Sequence, residues 1–220
     1  MMNNISIYTF LNKPIPSNCY VVVDNSTLHC FIVDPGSKEE SDVVDFIIEK
    51  KLILDFVILT HEHMDHVWGT NFVLQKFDVP IICTGLASEK IKKPTNLYNR
   101  LYYNCDQYYF IEKVPVIVEN IDYHIEWNSK LIRFVAAKGH SAASMILCVE
   151  NMLFSGDTMI LNTEPYFNKR SGSSLEDYYH TINFIYDTYA LDTTVYPGHG
   201  NSFKLLEMED FYKNYFAKVM

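Results

Sequence analysis

Three histidines and two acidic residues are crowded into the heptad THEHMDH, immediately after the apolar run DFVIL. Histidine is scarce elsewhere, with 8 in 220 residues. Residues i and i+2 of an extended segment point the same way, so His61 and His63 can direct two imidazoles at one point. Asp65 and His66 follow where the loop turns into a predicted helix, and they can address a second point nearby. The heptad is therefore either a charged surface turn or a metal site.

Three further stretches have the same character, namely KGHSAAS at 138–144, FSGDT at 154–158 and YPGHG at 196–200. Each places a histidine or an aspartate after a predicted strand and beside a glycine, where a small residue lets the backbone approach a ligand. Layered α/β folds collect their sites in loops at one end of the strands. We therefore expect these loops to converge with the heptad, which favours the metal site over the surface turn.

Seven side chains in these four loops have the chemistry of metal ligands. They are His61, His63, Asp65, His66, His140, Asp157 and His199. Seven is too many for one ion of this class, whereas two ions that share a carboxylate fit the number. A zinc ion takes about four to five ligands, and a set of nitrogen and oxygen donors leaves room for water. We interpret the other histidines, His29, His124 and His180, as packed or hydrogen-bonded residues.

The rest of the chain alternates between short apolar runs and amphipathic segments. Strands are predicted at 5–10, 19–23, 31–34, 55–60, 79–84, 131–137, 145–150 and 193–196, and helices at 37–51, 67–77, 173–189 and 205–220. Two capping boxes, Ser37 with Glu40 and Ser173 with Glu176, are expected to open two of these helices. No Ser/Gly-rich linker interrupts the alternation, which indicates one layered α/β domain over 1–220.

Composition excludes some classes of partner. The formal net charge is -9, from 27 acidic residues against 18 lysines and arginines, with no long basic run, which counts against nucleic acid. The N-terminus lacks the pattern of a secretory signal, and no apolar run approaches the roughly 20 residues of a membrane span. We expect a soluble cytoplasmic protein that acts on a small molecule. Its five cysteines, without a CxxC pair, are expected to be reduced core residues.

Five tyrosines and a phenylalanine gather in the segment 97–110, LYNRLYYNCDQYYF. One interpretation is a helix that packs its aromatic face, since Tyr98 and Tyr102 are four residues apart. The other is a pocket wall for an apolar or acyl substrate, and the sequence leaves both open, along with a role in an oligomer interface.

Six motifs follow one another over nearly the whole chain, namely SNCYVVVD, IVDPG, THEHMDH, GHSAASM, SGDT and PGHG. By these motifs and their order, the sequence resembles the metallo-β-lactamase superfamily, in its glyoxalase II-like branch with the HxHxDH motif. The resemblance implies an αββα sandwich, in which two mixed β-sheets lie face to face with helices outside.

The resemblance also implies a role for each ligand. His61, His63 and His140 would bind the first metal, Asp65, His66 and His199 the second, and Asp157 would bridge them. Two divalent ions are expected, zinc by donor preference, with iron and manganese also compatible. Asp65 is expected to be catalytic, because it can orient the attacking hydroxide or carry a proton.

Departures from the family patterns narrow the function. Lactonases of this fold carry a tyrosine three residues after the bridging aspartate, where this chain has Ile160. Glyoxalase II has a helical C-terminal domain that binds glutathione, whereas 21 residues follow His199 here. Lys169 and Arg170 are either the cations that bind an anionic group or ordinary exposed charges.

We therefore expect a metal-dependent hydrolase of a thioester or related acyl ester, which attacks the carbonyl with metal-bound hydroxide. A lactonase, a phosphodiesterase and a non-catalytic metal-binding regulatory module are the alternatives.

Overall fold

The computed structural model describes residues 4–113, 116–118 and 123–220, without the side chain of residue 117. The chain divides into two compact units, 1–117 and 118–220. The predicted single domain over 1–220 stays a prediction.

The first unit is built on a mixed sheet with the strand order β1-β2-β3-β4-β5-β6. Its elements are β1 (Ile5–Leu11), β2 (Asn18–Asp24), β3 (His29–Val33), α1 (Ser41–Glu49), β4 (Ile53–Ile58), α2 (Met64–Val67), α3 (Thr70–Lys76), β5 (Ile81–Thr84), α4 (Gly85–Ile91), α5 (Leu97–Tyr103) and β6 (Val116–Val118). The first three strands pair antiparallel, and β3, β4 and β5 pair parallel. All seven residues of β2 are buried. Successive side chains of a strand point to opposite faces, so both faces of β2 are covered.

The second unit carries the other mixed sheet, with the order β12-β11-β10-β9-β8-β7. Its elements are β7 (Tyr123–Trp127), β8 (Lys130–Ala136), β9 (Met145–Val149), β10 (Met152–Gly156), a 3₁₀ turn (Lys169–Ser171), α6 (Leu175–Thr188), β11 (Thr194–Pro197), β12 (Phe203–Lys204), a second 3₁₀ turn (Leu205–Met208) and α7 (Glu209–Val219). Among the described strands of this sheet, β10 and β11 pair parallel, and the other neighbours pair antiparallel. The predicted fold class of two mixed sheets with helices is confirmed.

The helices pack by the apolar faces that their sequences predict. In α1, Val43, Val44 and Ile47 are buried, whereas Ile48 is exposed. In α6, Tyr178 and Ile182 join a cluster with α7 that is rich in aromatic rings. Burial of such apolar faces supplies most of the stability of each helix.

Several predicted boundaries were wrong. The helix predicted at 67–77 is α3, which begins only at Thr70, after Gly69. The separate helix α2 precedes it and reaches the predicted range only at Val67. A Cβ on Gly69 would lie 2.5 Å from the Ser37 carbonyl oxygen, so the chain needs glycine at this point. The strands β6, β7, β10 and β12 and the helix α4 were not predicted.

Both predicted capping boxes are displaced. The first helix begins at Ser41 rather than Ser37, although the Ser37 amide still donates to the Glu40 carboxylate at 2.9 Å. The helix predicted from Ser173 is capped by Ser174, whose hydroxyl accepts from the Asp177 amide at 3.2 Å.

All five cysteines are free, as predicted. Cys19, Cys30 and Cys83 are buried, and burial raises the pKa of each thiol. Cys105 and Cys148 are only half-buried, so their assignment to the core was wrong. Among the described residues, no helix combines the length and the apolar character that a membrane span requires.

The cap at Ser174 can be tested by substitution. We expect Ser174→Ala to lower the free energy of unfolding by about 1 kcal/mol, because the Asp177 amide loses its acceptor. Urea denaturation measures the change, and Ser202→Ala, at an exposed loop serine, is the matched control. Equal stability of the two variants would contradict the cap assignment.

Candidate metal centre

The heptad runs from the loop after β4 into α2, in the first unit. His61 and His66 are buried, and His63 and Asp65 are partly exposed. His61 Nε2 lies 3.0 Å from His63 Nδ1, and His66 Nε2 lies 3.5 Å from Asp65 Oδ2. Asp65 and His66 were predicted where the loop turns into a helix at 67, and they lie in the helix α2, which already begins at Met64. The four side chains thus form two close pairs of ligand atoms.

Glu62, the residue between His61 and His63, does not join the two histidines. The Glu62 carboxylate pairs with the Lys90 ammonium of α4. This alternation is what an extended segment produces, since successive side chains point to opposite sides. It leaves His61 and His63 on a common side, as the spacing predicts.

The second unit brings together the other three predicted ligands. His140 lies in the loop after β8, Asp157 directly follows β10, and His199 follows β11. Asp157 Oδ2 lies 3.6 Å from His140 Nε2 and 3.5 Å from His199 Nε2. One carboxylate oxygen therefore faces two imidazole nitrogens, which is the arrangement that a bridging carboxylate needs.

These separations can be compared with the size of a metal site. Two ligand atoms at about 2.0–2.1 Å from a tetrahedral zinc ion are about 3.3 Å apart. The four pairs, at 3.0, 3.5, 3.6 and 3.5 Å, all lie close to that value. Nitrogen and oxygen donors of this kind are typical of divalent metal sites. The side chains in each unit therefore fit a bound divalent ion.

Asp34 holds two of the histidines in place, a role that the sequence did not predict. Its Oδ2 accepts from His66 Nδ1 at 3.0 Å and from the Thr60 hydroxyl at 2.6 Å, and its Oδ1 accepts from the Thr60 amide at 2.8 Å. Because the Thr60 hydroxyl donates to Asp34, it accepts from His61 Nδ1, 3.0 Å away. Both imidazoles thus carry the proton on Nδ1 and present the Nε2 lone pair to a metal.

Asp34, His61 and His66 also form a group of close potential ligand atoms. The carboxylate of Asp34 already accepts three hydrogen bonds from its neighbours. We therefore interpret Asp34 as a positioning residue and not as a ligand. The signal that could have identified it is IVDPG, where an aspartate ends a buried strand and precedes a Pro-Gly turn.

The backbone of Asp65 is held by hydrogen bonds to its carbonyl oxygen. The Asn12 amide and the Ser17 hydroxyl donate to its carbonyl oxygen, at 3.3 and 2.5 Å. Gly36 packs against the same carbonyl, and a Cβ at that position would overlap it. The glycine of the Pro-Gly turn is therefore required by the close approach of the α2 backbone.

The same loop carries a buried acid, Glu40, which is 3% exposed. Burial raises the pKa of its carboxyl to about 7, and the Ser37 amide opposes this by donating to it. Through this hydrogen bond, Glu40 stabilises the turn that follows Asp34.

In the second unit, serines fix the loop that carries His140. The Ser173 hydroxyl donates to the His140 carbonyl, and the Ser174 amide donates to the Gly139 carbonyl at 3.1 Å. Gly139 has φ +144°, and a Cβ there would lie 2.6 Å from the Tyr178 Cα atom. Ser173 therefore serves the His140 loop, which is why the helix cap falls one residue later.

The tyrosine-rich segment is helical only over Leu97–Tyr103. Tyr98 is buried, with its ring centroid 4.1 Å from that of Trp68 and 4.6 Å from that of Tyr102. Burial raises the pKa of the Tyr98 hydroxyl, and the charge of Asp65 adds to the effect. The packing interpretation is thus supported for Tyr98, whereas Tyr102 and Tyr108 are exposed.

The remaining candidates lie apart from these clusters. His29 Nδ1 is 2.7 Å from Asp55 Oδ1, and His124 and His180 are exposed. Lys169 and Arg170 are exposed in a 3₁₀ turn directly before the serines that support the His140 loop.

Comparison with known proteins identifies the family. The model of the metallo-beta-lactamase superfamily matches residues 12–199. The chain therefore belongs to this superfamily. In fold it is similar to the BLEG-1 B3 metallo-beta-lactamase, with a TM-score of 0.77 and 18% sequence identity over 93% of this chain and 97% of that one.

Two relatives bear on the reaction. A Bacillus velezensis protein named probable polyketide biosynthesis zinc-dependent hydrolase BaeB is 29% identical over 89% of this chain and 79% of its own. A hydroxyacylglutathione hydrolase of Psychromonas ingrahamii is 28% identical over 72% of this chain. The match spans about half of that enzyme, 52% of its length. Membership of this family, its zinc-dependent hydrolase relative and the clusters of potential metal ligands identify the chain as a metal-dependent hydrolase.

The positioning role of Asp34 predicts a loss of metal affinity. We expect Asp34→Asn to weaken zinc binding about 10- to 100-fold, because the hydrogen bonds that orient His66 and, through Thr60, His61 are weakened. Competition with a chromophoric chelator measures the affinity. Asp55→Asn alters another His–Asp pair and is the control. An equal effect in both variants would refute the role of Asp34.

The shared oxygen of Asp157 predicts a larger loss. We expect Asp157→Ala to lower the metal content below that of any single histidine variant, since two imidazoles face this one carboxylate. Metal analysis of purified protein gives the stoichiometry, with His180→Ala as the control at an exposed histidine. Two metals per chain in Asp157→Ala would rule out the bridge.

Proposed function

We propose that the two clusters form one dinuclear centre and that the protein hydrolyses a thioester or a related acyl ester. In this proposal the first metal takes His61, His63 and His140, and the second takes Asp65, His66 and His199. Asp157 bridges the two. The observation that carries the proposal is the single Asp157 oxygen that faces His140 and His199 at 3.6 and 3.5 Å.

We further propose zinc as the metal. Imidazole and carboxylate donors suit zinc, and the Bacillus velezensis relative is named a zinc-dependent hydrolase. Iron and manganese are compatible with the same donors. When bound, two such ions supply a hydroxide at neutral pH, since they lower the pKa of water from near 16 toward about 7, and they polarise the scissile carbonyl.

Asp65 has the placement of a catalytic carboxylate. Its Oδ2 lies beside His66 Nε2, and its backbone is fixed by Asn12 and Ser17. A rigid backbone holds the carboxylate in one orientation, as general base catalysis requires. Asp65 therefore orients the attacking water and accepts its proton.

The motifs contain no dedicated general acid for the leaving group, which favours a thioester. A thiolate leaves with little protonation, whereas an amide or an alkoxide needs a proton donor. Hydroxyacylglutathione, the substrate class named for one relative, is itself a thioester. Ile160, where lactonases of this fold carry a tyrosine, supplies no hydroxyl for a lactone carbonyl.

Lys169 and Arg170 suit an anionic group on such a substrate. Both are exposed, and their turn is tied to the His140 loop by the Ala142 amide, which donates to the Ser171 carbonyl at 3.1 Å. In the proposed complex they attract the charge of the thiol portion.

A panel of substrates tests the proposal with metal-analysed protein. It contains lactoylglutathione, an acyl-coenzyme A, an acyl-homoserine lactone and a phosphodiester reporter. We expect turnover of a thioester, abolished by chelation and by His61→Ala, and retained in His180→Ala. Preferred hydrolysis of the lactone or of the phosphodiester would contradict the thioester assignment. Two bound metals with no turnover of any substrate would indicate a binding module instead.

A further inference from the structure

The ion pair between Glu62 and Lys90 has no part in the chemistry proposed above, although Glu62 stands between two of the proposed ligands. The exposed fraction is 9% for the Glu62 side chain and 29% for the Lys90 side chain. Solvent screens such a pair weakly, and a charge buried without its partner is costly. The pair of Lys213 and Glu209 on α7 is more exposed, at 65% and 31%. Each member of the Glu62–Lys90 pair therefore depends on the other.

Apolar side chains lie beside this pair. Glu62 and Lys90 line a cleft of about 230 Å³ together with Met64, Val67 and Ile91. Val67 and Ile91 are buried. Opposite charges attract each other more strongly beside apolar groups than in water. The carboxylate and the ammonium thus hold each other in place.

Lys90 is a fixed anchor because its helix is held at both ends. At the start of α4, the Thr84 hydroxyl accepts from the Ala87 amide at 3.2 Å. At its end, the Ile91 carbonyl accepts from the Ile111 amide at 2.9 Å. The helix directly follows β5, which pairs parallel with β4, the strand before the heptad. The ion pair therefore joins the segments that follow two neighbouring strands.

The place of Glu62 in the heptad determines how this anchor acts on the ligands. His63 has an extended backbone conformation, and successive side chains of an extended segment point to opposite sides. A Glu62 side chain held toward α4 therefore keeps His61 and His63 turned to the other side. The hydrogen bonds of Asp34 orient imidazole rings, whereas the pair with Lys90 fixes the backbone between the two histidines.

We propose that Glu62 and Lys90 are positioning residues, which hold the HxH pair in the geometry that binds the first metal. The inference rests on the dinuclear centre of the proposed function and adds two residues to its support. Among the described residues, the groups of close ligand atoms do not include Glu62. Loss of the ion pair should therefore lower the affinity for zinc without removing a ligand.

The zinc affinity of the full-length protein tests the inference. Glu62→Gln removes the negative charge, Lys90→Met removes the positive charge, and the double variant removes both. Competition with a chromophoric chelator gives the Kd of zinc, and long-range proton–nitrogen NMR reports the state of the His63 imidazole. Urea denaturation of the metal-free protein measures its stability separately. Lys213→Met, which breaks the exposed pair of α7, is the matched control.

We expect each single variant to weaken zinc binding about tenfold and to shift the His63 resonances, since outer partners of a metal site contribute about 10- to 100-fold. The double variant should lose about as much affinity as one single variant, because the two charges act as a unit. Lys90→Arg keeps the charge and should retain most of the affinity. Lys213→Met should leave the zinc affinity unchanged.

Unchanged zinc affinity in the single variants, additive losses in the double variant, or an equal loss in Lys213→Met would overturn the inference. Lower stability in urea with unchanged zinc affinity would also overturn it, because the pair would then support the fold alone. Glu62→Gln keeps the shape of the side chain, so it decides the test if Lys90→Met does not fold.

Failure of the proposed function gives a different result. Wild-type protein that binds zinc but turns over no thioester would contradict the proposed hydrolysis, and the zinc affinities of the variants would still test the ion pair. Wild-type protein that binds no zinc would overturn both.

Discussion

The hydrogen bond between Asp34 and His66 is the constraint on which the first cluster depends. Both side chains are almost fully buried, with 2% and 0% of their surfaces exposed. Burial of two such groups is costly unless each satisfies the other, so neither can be replaced without leaving an unpaired polar partner. The same carboxylate reaches His61 through Thr60. One aspartate therefore sets the tautomer of two imidazoles that lie on different parts of the heptad.

The two units hold their ligands by different means. In the first, a side-chain carboxylate orients the imidazoles, and the Asp65 carbonyl is clamped by Asn12 and Ser17. In the second, backbone groups and serine hydroxyls fix the loop of His140. Both arrangements leave little room near the backbone, as Gly36 and Gly139 show. Rigid support of this kind keeps ligand atoms near the separations that an ion requires.

The sequence predicted the features that are local. The heptad, the glycine-flanked loops and most strands follow from periodicity and residue type within a few positions. Asp34 was missed because its partners lie 26 and 32 residues further along the chain and meet it only in the folded sheet. The helix caps shifted for a similar reason, since the Ser37 hydroxyl contacts Asn12 and the Ser173 hydroxyl contacts the His140 carbonyl. These two serine side chains form hydrogen bonds with residues distant in the sequence instead of capping the helices.

In the proposed centre the seven ligands hold two ions that share Asp157. Anomalous X-ray diffraction at the zinc edge, on crystals of the zinc-loaded protein, locates such ions. We expect two peaks per chain. One should be bound by His61, His63 and His140, the other by Asp65, His66 and His199, with Asp157 in contact with both. A single peak, or an ion bound to Asp34 in place of Asp157, would contradict it.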